Sequence, residues 1–132
     1  MVSTSCLLDT DILIDWLQGR SWAKEVISSR SVRFYCSAVT RKELLSKPGI
    51  SSAERERILR LLRVVRVINV DSVIAAAASE LLLKYPNDPL RVNDALIAAT
   101  AWGKKLPLLT RNRKHYEFIA EITLAGLPLA SD

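Results

Sequence analysis

The order of apolar and polar positions along the chain predicts alternating strands and helices. Apolar runs of strand length lie at 5–9, 32–36, 66–70 and 106–110, with a possible last edge strand at 122–124. Helical patterns fill the intervals between them, at about 11–18, 22–29, 40–47, 52–65, 72–85 and 94–103. Residues 111–121 are predicted as a polar loop or short helix. Strands that alternate with helices indicate an α/β fold with a parallel sheet covered by helices on both faces.

Length and composition indicate one folded domain over residues 1–132. Hydrophobic residues make up 49% of the chain and charged residues 25%, which excludes a disordered protein. The sequence shows no secretion signal and no apolar run long enough to span a bilayer, so we expect a cytoplasmic protein without membrane contact. Cys6 and Cys36 lie in strand-like runs and are expected to be buried, reduced thiols. The net charge of +5 indicates, mildly, an anionic partner.

Three aspartates interrupt the apolar stretch 7-LLDTDILIDWL-17, and one of them ends a predicted strand. In parallel sheets, ligands bind at the carboxyl ends of the strands, and this is where Asp9 is expected. A carboxylate at the end of a buried strand needs a partner, because burying an unpaired charge is costly. Asp9 is therefore the strongest single candidate for a functional residue.

Further polar side chains are predicted at the same edge of the sheet. Glu43 lies in the helix after the second strand, Asp94 opens an apolar helix, and Asn112 follows the 106–110 strand. Carboxylates that meet at one edge repel each other unless a cation neutralises them. Carboxylate oxygens without clustered histidine or cysteine suit Mg²⁺ or Mn²⁺, and a typical zinc site is excluded.

Each acid also has a structural interpretation, which the sequence leaves open. Glu43 stands three residues after Thr40, the spacing of a helix capping box. Asp94 can complement the dipole of the helix that it opens. Asp11 can cap the first helix, and Asp15 is expected to face solvent one turn further on.

Four motifs in order, LLDTDILID, SAVTRKELL, NDALIAATA and LPLLTRNRKHY, resemble those of the PIN-domain ribonucleases, especially the VapC-type toxins of prokaryotic toxin–antitoxin pairs. The resemblance covers about residues 5–125. It implies a three-layer α/β/α sandwich around a central, mainly parallel sheet, and a metal-dependent endoribonuclease. It also implies that the protein is the toxin of a type II pair, with RNA as substrate and a cognate antitoxin as partner.

The resemblance further implies the residues of the site. Asp9, Glu43 and Asp94 match the acids that hold Mg²⁺ or Mn²⁺ and carry catalysis in that family. Thr10 and Asp11 match the two positions that follow the first acid and support the site.

The chain departs from the family at the fourth acid. Many members have aspartate where this chain has Asn112, and others carry an acid just before the aromatic, where His115 precedes Tyr116. Asn112 and His115 are therefore supporting candidates, although a lone histidine also fits a solvated loop. Arg41 and Arg111 are candidates for binding RNA phosphates.

Two other functions remain open at this point. Asp9-Thr10-Asp11 also resembles the start of phosphatases that form an aspartyl-phosphate, although Leu13 stands where they carry threonine or valine. The second is a catalytically weak PIN-fold module that only binds RNA or a partner.

A partner-binding surface is predicted on the helices at 40–47 and 52–65, part of it as a homodimer interface and part as a groove for an antitoxin helix. The alternative is that these side chains pack onto the sheet. The apolar residues concerned are Leu44, Leu45, Ile58, Leu61, Leu62 and Val65.

Overall fold

The structure, a computed structural model, describes residues 4–126 as a sheet of strands joined by helices. Its strands are β1 (Thr4–Leu8), β2 (Val32–Ser37), β3 (Arg66–Ile68) and β4 (Leu108–Leu109). Its α-helices are α1 (Thr10–Leu17), α2 (Ser21–Ile27), α3 (Ala38–Leu45), α4 (Ser52–Val64), α5 (Ser72–Lys84) and α6 (Val92–Lys104). A short 3₁₀ turn, Arg113–His115, follows β4. The predicted helices and the first four predicted strands are thus present, with ends shifted by a few residues, while one domain over 1–132 stays a prediction.

All neighbouring strands of the sheet are parallel, in the order β3-β2-β1-β4. The predicted edge strand at 122–124 is reduced to one parallel bridge between Leu108 and Leu124. Because the strands are parallel, their carboxyl ends lie at one edge, where Asp9, Ser37 and Thr110 follow or end a strand. The prediction of a parallel sheet is confirmed.

Helices cover both faces of this sheet, which gives the three layers. Alternation along β1 places Cys6 and Leu8 in one apolar cluster and Leu7 in the other. The first cluster is completed by residues of α1 to α4, and the second by residues of α5, α6 and the segment after β4. Both cysteines are buried and free, and burial raises the pKa of each thiol to about 12.

The strand β2 runs directly into α3, and this decides whether Glu43 belongs to a helix cap. Ser37, the last residue of β2, caps the helix by accepting a hydrogen bond from Val39 N at 3.1 Å. Thr40 therefore lies inside the helix, fully buried, and does not cap it. The capping-box interpretation of Glu43 is wrong, because the helix begins at Ala38 instead of after Thr40.

The first helix is capped by Asp9, not by Asp11. Asp9 has extended backbone angles, and its side chain accepts from Thr10 N. Asp11 lies within the first turn. Asp71 caps α5 through its side chain, since its carboxylate accepts from Ile74 N at 2.9 Å.

Most of the apolar surface predicted for partners is used inside the chain. Leu44, Ile58, Leu61 and Val65 are buried in the first apolar cluster. Only Leu45 and Leu62 of the six are partly buried. For the four buried side chains, packing onto the sheet is the correct interpretation.

Within residues 4–126, every helix is too short or too polar to cross a membrane.

Candidate active site

A cleft of about 450 Å³ opens at the carboxyl edge of the sheet. It brings together residues of α3, the start of α6 and the segment after β4, which are far apart in sequence. The lining residues are Glu43, Arg91, Val92, Asn93, Asp94, Asn112 and His115. Four of the predicted site residues thus meet in one cleft, as expected for a parallel sheet of this kind.

Asp9 lies beside this cleft and is only 5% exposed. Its Oδ1 accepts from Thr10 N at 2.8 Å and lies 3.3 Å from Tyr116 OH, and its Oδ2 accepts from Thr110 Oγ1 at 2.7 Å. Burial above all, with repulsion from Asp11 and Asp94, raises the pKa of Asp9 to about 6 despite these donors. This carboxylate is strained in its charged form unless a cation is near.

Asp94, in the first turn of α6, forms a pair with Asp9 through a shared hydroxyl. Its Oδ1 lies 3.2 Å from Tyr116 OH. Its Oδ2 is buried and has no hydrogen-bond partner among residues 4–126; His115 Nδ1 lies 3.6 Å from it, beyond hydrogen-bond distance. An unsatisfied carboxylate oxygen is costly to bury, so this atom is suited to a ligand.

One residue of α1 and one of α6 hold the Glu43 side chain in place by hydrogen bonds. Thr10 Oγ1 donates to Glu43 Oε1 at 2.7 Å and lies 2.9 Å from Thr40 Oγ1. Because Thr10 has one hydroxyl proton, Thr40 must donate to it. Asn93 Nδ2 donates to Glu43 Oε2 at 3.3 Å. Thr10 therefore contacts Glu43, and its supporting role in the site stays a prediction.

Asp11 and Asp15 hold the segment after β4 instead of facing the cleft or solvent. Arg111 N donates to Asp11 Oδ2 at 2.9 Å, and the Arg111 guanidinium binds Asp15 with Nε 2.6 Å from Oδ2. Arg20 Nε lies 3.5 Å from the same carboxylate. Asp15 is 1% exposed, so its predicted exposure is wrong, because two arginines pair with it. Burial also raises the pKa of Asp11.

Sequence reasoning missed three residues of the site. Tyr116 is buried between Asp9 and Asp94, Thr110 binds Asp9, and Arg91 lines the cleft. Thr110 carried the same signal as Asp9, a polar residue at the end of a buried strand. Tyr116 had no local signal beyond an aromatic ring in a polar segment.

The donor chemistry of the cleft fits a hard divalent cation. No three His, Cys, Asp or Glu side chains of residues 4–126 lie close enough together to hold a metal as a group. Mg²⁺, however, is usually bound by one or two carboxylates and keeps several waters. Asp9 and Asp94 supply such a pair, with one buried oxygen that has no hydrogen-bond partner in the part of the chain that the structure describes.

Comparison with known proteins identifies the family. A PIN domain is matched over residues 6–120. The chain belongs to the PIN-domain family. The ribonuclease VapC10 of Mycobacterium tuberculosis is 34% identical to it over 122 residues, which cover 88% of this chain and 89% of that protein.

Solved structures agree with a PIN domain. A toxin–antitoxin complex from Klebsiella pneumoniae contains a chain with a TM-score of 0.75 and 30% identity, covering 89% of this chain and 95% of that one. A chain of VapBC2 from Rickettsia felis, bound to a promoter DNA fragment, has a TM-score of 0.81 at 19% identity, covering 92% and 97%, and so shares the fold. Family membership decides against the aspartyl-phosphate phosphatase.

Proposed function

We propose that this PIN domain is a Mg²⁺- or Mn²⁺-dependent endoribonuclease, the toxin of a type II toxin–antitoxin pair. The observation that carries the proposal is the pair of Asp9 and Asp94, held at one buried hydroxyl beside a cleft that Glu43 also lines. Kinship with the VapC10 ribonuclease supports the substrate class.

The acids have separate roles in this proposal. Asp9 and Asp94 would hold the cation, which when bound makes a water more acidic and offsets the charge that develops on the phosphate. Glu43, fixed by Thr10 and Asn93, orients the attacking water or binds a second ion. In the proposed reaction the water attacks phosphorus in line, and the bond from phosphorus to the 3′ oxygen breaks. The products carry a 5′-phosphate and a 3′-hydroxyl.

Uncharged and basic residues of the cleft complete the proposed substrate site. Asn112 can hydrogen-bond the scissile phosphate or a water without adding charge. Arg91 lines the cleft and is well placed to hold an RNA phosphate. Arg111 is a poorer candidate than the sequence indicated, because its guanidinium binds Asp15.

Cleavage of RNA by the purified protein tests the proposed activity. Wild type should cut single-stranded RNA in Mn²⁺, lose this activity in EDTA, and regain it when metal is restored. Asp94→Asn keeps the side-chain shape but removes one charge of the pair, and should lower the rate at least 100-fold. Glu80→Gln, an exposed carboxylate on α5, is the matched control and should cut like wild type. A wild type that binds RNA in Mn²⁺ without cutting it would instead support the binding-module alternative.

A second groove supports the proposed antitoxin partner. It has a volume of about 380 Å³, lies between α1, α3 and α4, and includes Ile14, which is 40% exposed. Glu43 lines both this groove and the active-site cleft, so a peptide seated in the groove would reach the catalytic acids. We propose that an amphipathic helix of the cognate antitoxin binds here and blocks the site.

Substitutions at the rim of the groove test this partner. Ile14→Asp should weaken binding of the cognate antitoxin at least ten-fold, because it places a charge in an apolar contact. Val64→Asp, at a more exposed apolar side chain outside the groove, is the control. Leu61 is unsuitable for this test because it is buried in the core. Equal affinity of the two variants would show that the antitoxin binds elsewhere.

A further inference from the structure

A buried tyrosine hydroxyl lies between the two carboxylates of the proposed metal site. Tyr116 OH is 3.3 Å from Asp9 Oδ1 and 3.2 Å from Asp94 Oδ1. The residue is 1% exposed, and its ring belongs to the apolar cluster beneath α5 and α6, with Leu7 and Ile119. Because packing holds the ring, the hydroxyl has a fixed position between the two acids.

A single hydroxyl cannot satisfy both carboxylates. A phenol has one proton, so Tyr116 donates to one acid while its oxygen faces the other. Both distances exceed the usual range for a hydrogen bond between two oxygens, so the hydroxyl is shared. Tyr116 has no second proton to donate, and Asp94 Oδ2 has no hydrogen-bond partner within residues 4–126 that could take its place. The tyrosine therefore spaces the pair without neutralising it.

We infer that Tyr116 is a positioning residue for the cation: its fixed hydroxyl sets the separation and orientation of Asp9 and Asp94. The inference rests on the proposed function, because it requires that this pair binds Mg²⁺ or Mn²⁺. Carboxylates that bind metals are commonly oriented by such outer hydrogen bonds, and losing one weakens metal binding by about 10–100-fold. The alternative is that the hydroxyl only fills the site in the absence of metal and moves away when the cation binds. The buried, packed ring of Tyr116 disfavours this alternative, because it cannot move out of the site.

Calorimetric titration of Mn²⁺ without RNA tests the inference on the full chain. Tyr116→Phe keeps the ring and removes only the hydroxyl, and should weaken Mn²⁺ binding about ten-fold or more. Cleavage by this variant should recover when Mn²⁺ is raised, because the acids themselves are intact. Tyr85→Phe is the matched control: its hydroxyl donates to Glu121 Oε1 at 2.8 Å, outside the site, so its loss should leave Mn²⁺ affinity unchanged.

The outcomes separate this inference from the proposed function. A wild type that neither binds Mn²⁺ nor cuts RNA defeats both. If wild type binds and cuts while Tyr116→Phe binds Mn²⁺ equally well or more tightly, the inference alone is overturned. A lower melting temperature in EDTA with unchanged Mn²⁺ affinity would likewise make Tyr116 a packing residue only.

A stabilising osmolyte keeps the test decisive if Tyr116→Phe fails to fold in plain buffer. Trimethylamine N-oxide is excluded from the protein surface and favours the folded state, while both carboxylates of the pair stay in place. In this osmolyte, Tyr116→Phe should again bind Mn²⁺ about ten-fold or more weakly than wild type. Equal affinity of the two folded proteins would overturn the inference there too.

Discussion

At the residue scale, Asp9 combines two roles that the sequence offered as alternatives. It caps α1 through Thr10 N, and it lies within reach of the hydroxyl that also contacts Asp94. A cap alone would not need burial to 5% exposure beside another carboxylate. Because asparagine caps helices as well as aspartate does, the cap and the charge can be separated by substitution.

Asn112 is the residue at which this chain departs from the family pattern. It lines the cleft with Glu43 and Asp94, and its backbone N–H donates to Thr110 Oγ1 at 3.0 Å. Asn112→Asp should raise Mn²⁺ affinity and shift the metal dependence of cleavage to lower concentration, since an added carboxylate favours a hard cation. It should also lower stability in EDTA through added repulsion. If calorimetry and cleavage give an unchanged metal titration, the Asn112 side chain does not face the cation.

Local pattern explains why some site residues were predictable and others were not. Asp9 and Asp94 were predicted because the pattern placed each at the beginning or end of an element, at one edge of a parallel sheet. Tyr116 and Asp15 depend on partners about a hundred positions away, Asp9 and Arg111 respectively. The exposure of Asp15 was mispredicted because helical periodicity carries no information about such a partner.

At the element scale, one ion-pair cluster fixes the segment after β4 against α1. Arg111 binds Asp15 with its side chain and Asp11 with its backbone N–H. This segment carries Asn112, His115 and Tyr116, so its position decides the shape of the cleft. Of the two arginines that contact Asp15, Arg111 makes the closer contact: its guanidinium donates a hydrogen bond to Oδ1 at 3.0 Å, and its Nε forms an ion pair with Oδ2 at 2.6 Å.

Removing the two arginines separately tests this anchor. Arg111→Gln should lower the free energy of unfolding by about 2 kcal/mol, because a buried carboxylate loses its main partner. Arg20→Gln, which removes the longer 3.5 Å contact to the same acid, should cost clearly less. Urea unfolding in EDTA measures both values. Equal losses would mean that Arg111 is not the main anchor of the segment.

The start of α3 differs from the position that the local sequence pattern predicted, because a residue of the preceding strand caps the helix. The helix containing Glu43 was expected to start near Thr40 but begins at Ala38, because Ser37 ends β2 and caps α3 directly. Thr40 then points inward and bonds Thr10 instead of capping a helix. The order and type of the elements were predictable from periodicity, while the two-residue shift changed the interpretation of Glu43.

At the scale of the whole molecule, apolar side chains of the helices pack into two apolar clusters, one on each face of the sheet. The sequence pattern predicted Leu44, Ile58 and Leu61 on a partner-binding surface, but these side chains pack onto the sheet. The predicted homodimer therefore loses its original support and stays a prediction, with Val73 and Leu83 on α5 among the exposed apolar side chains that could form it. Light scattering at high micromolar concentration measures it, and a strict monomer would contradict it.

The central claim is that the buried acids at the sheet edge exist to bind a cation, and thermal melting of wild type and Asp9→Asn tests it most directly. Asn keeps the cap and removes a like charge, so in EDTA the variant should melt at or above wild type. Excess Mn²⁺ should stabilise wild type and stabilise the variant much less, because that gain follows the affinity for the ion. RNA cleavage by the variant should fall to background. A variant that melts well below wild type in EDTA yet still cuts RNA would contradict the claim and make Asp9 a structural residue.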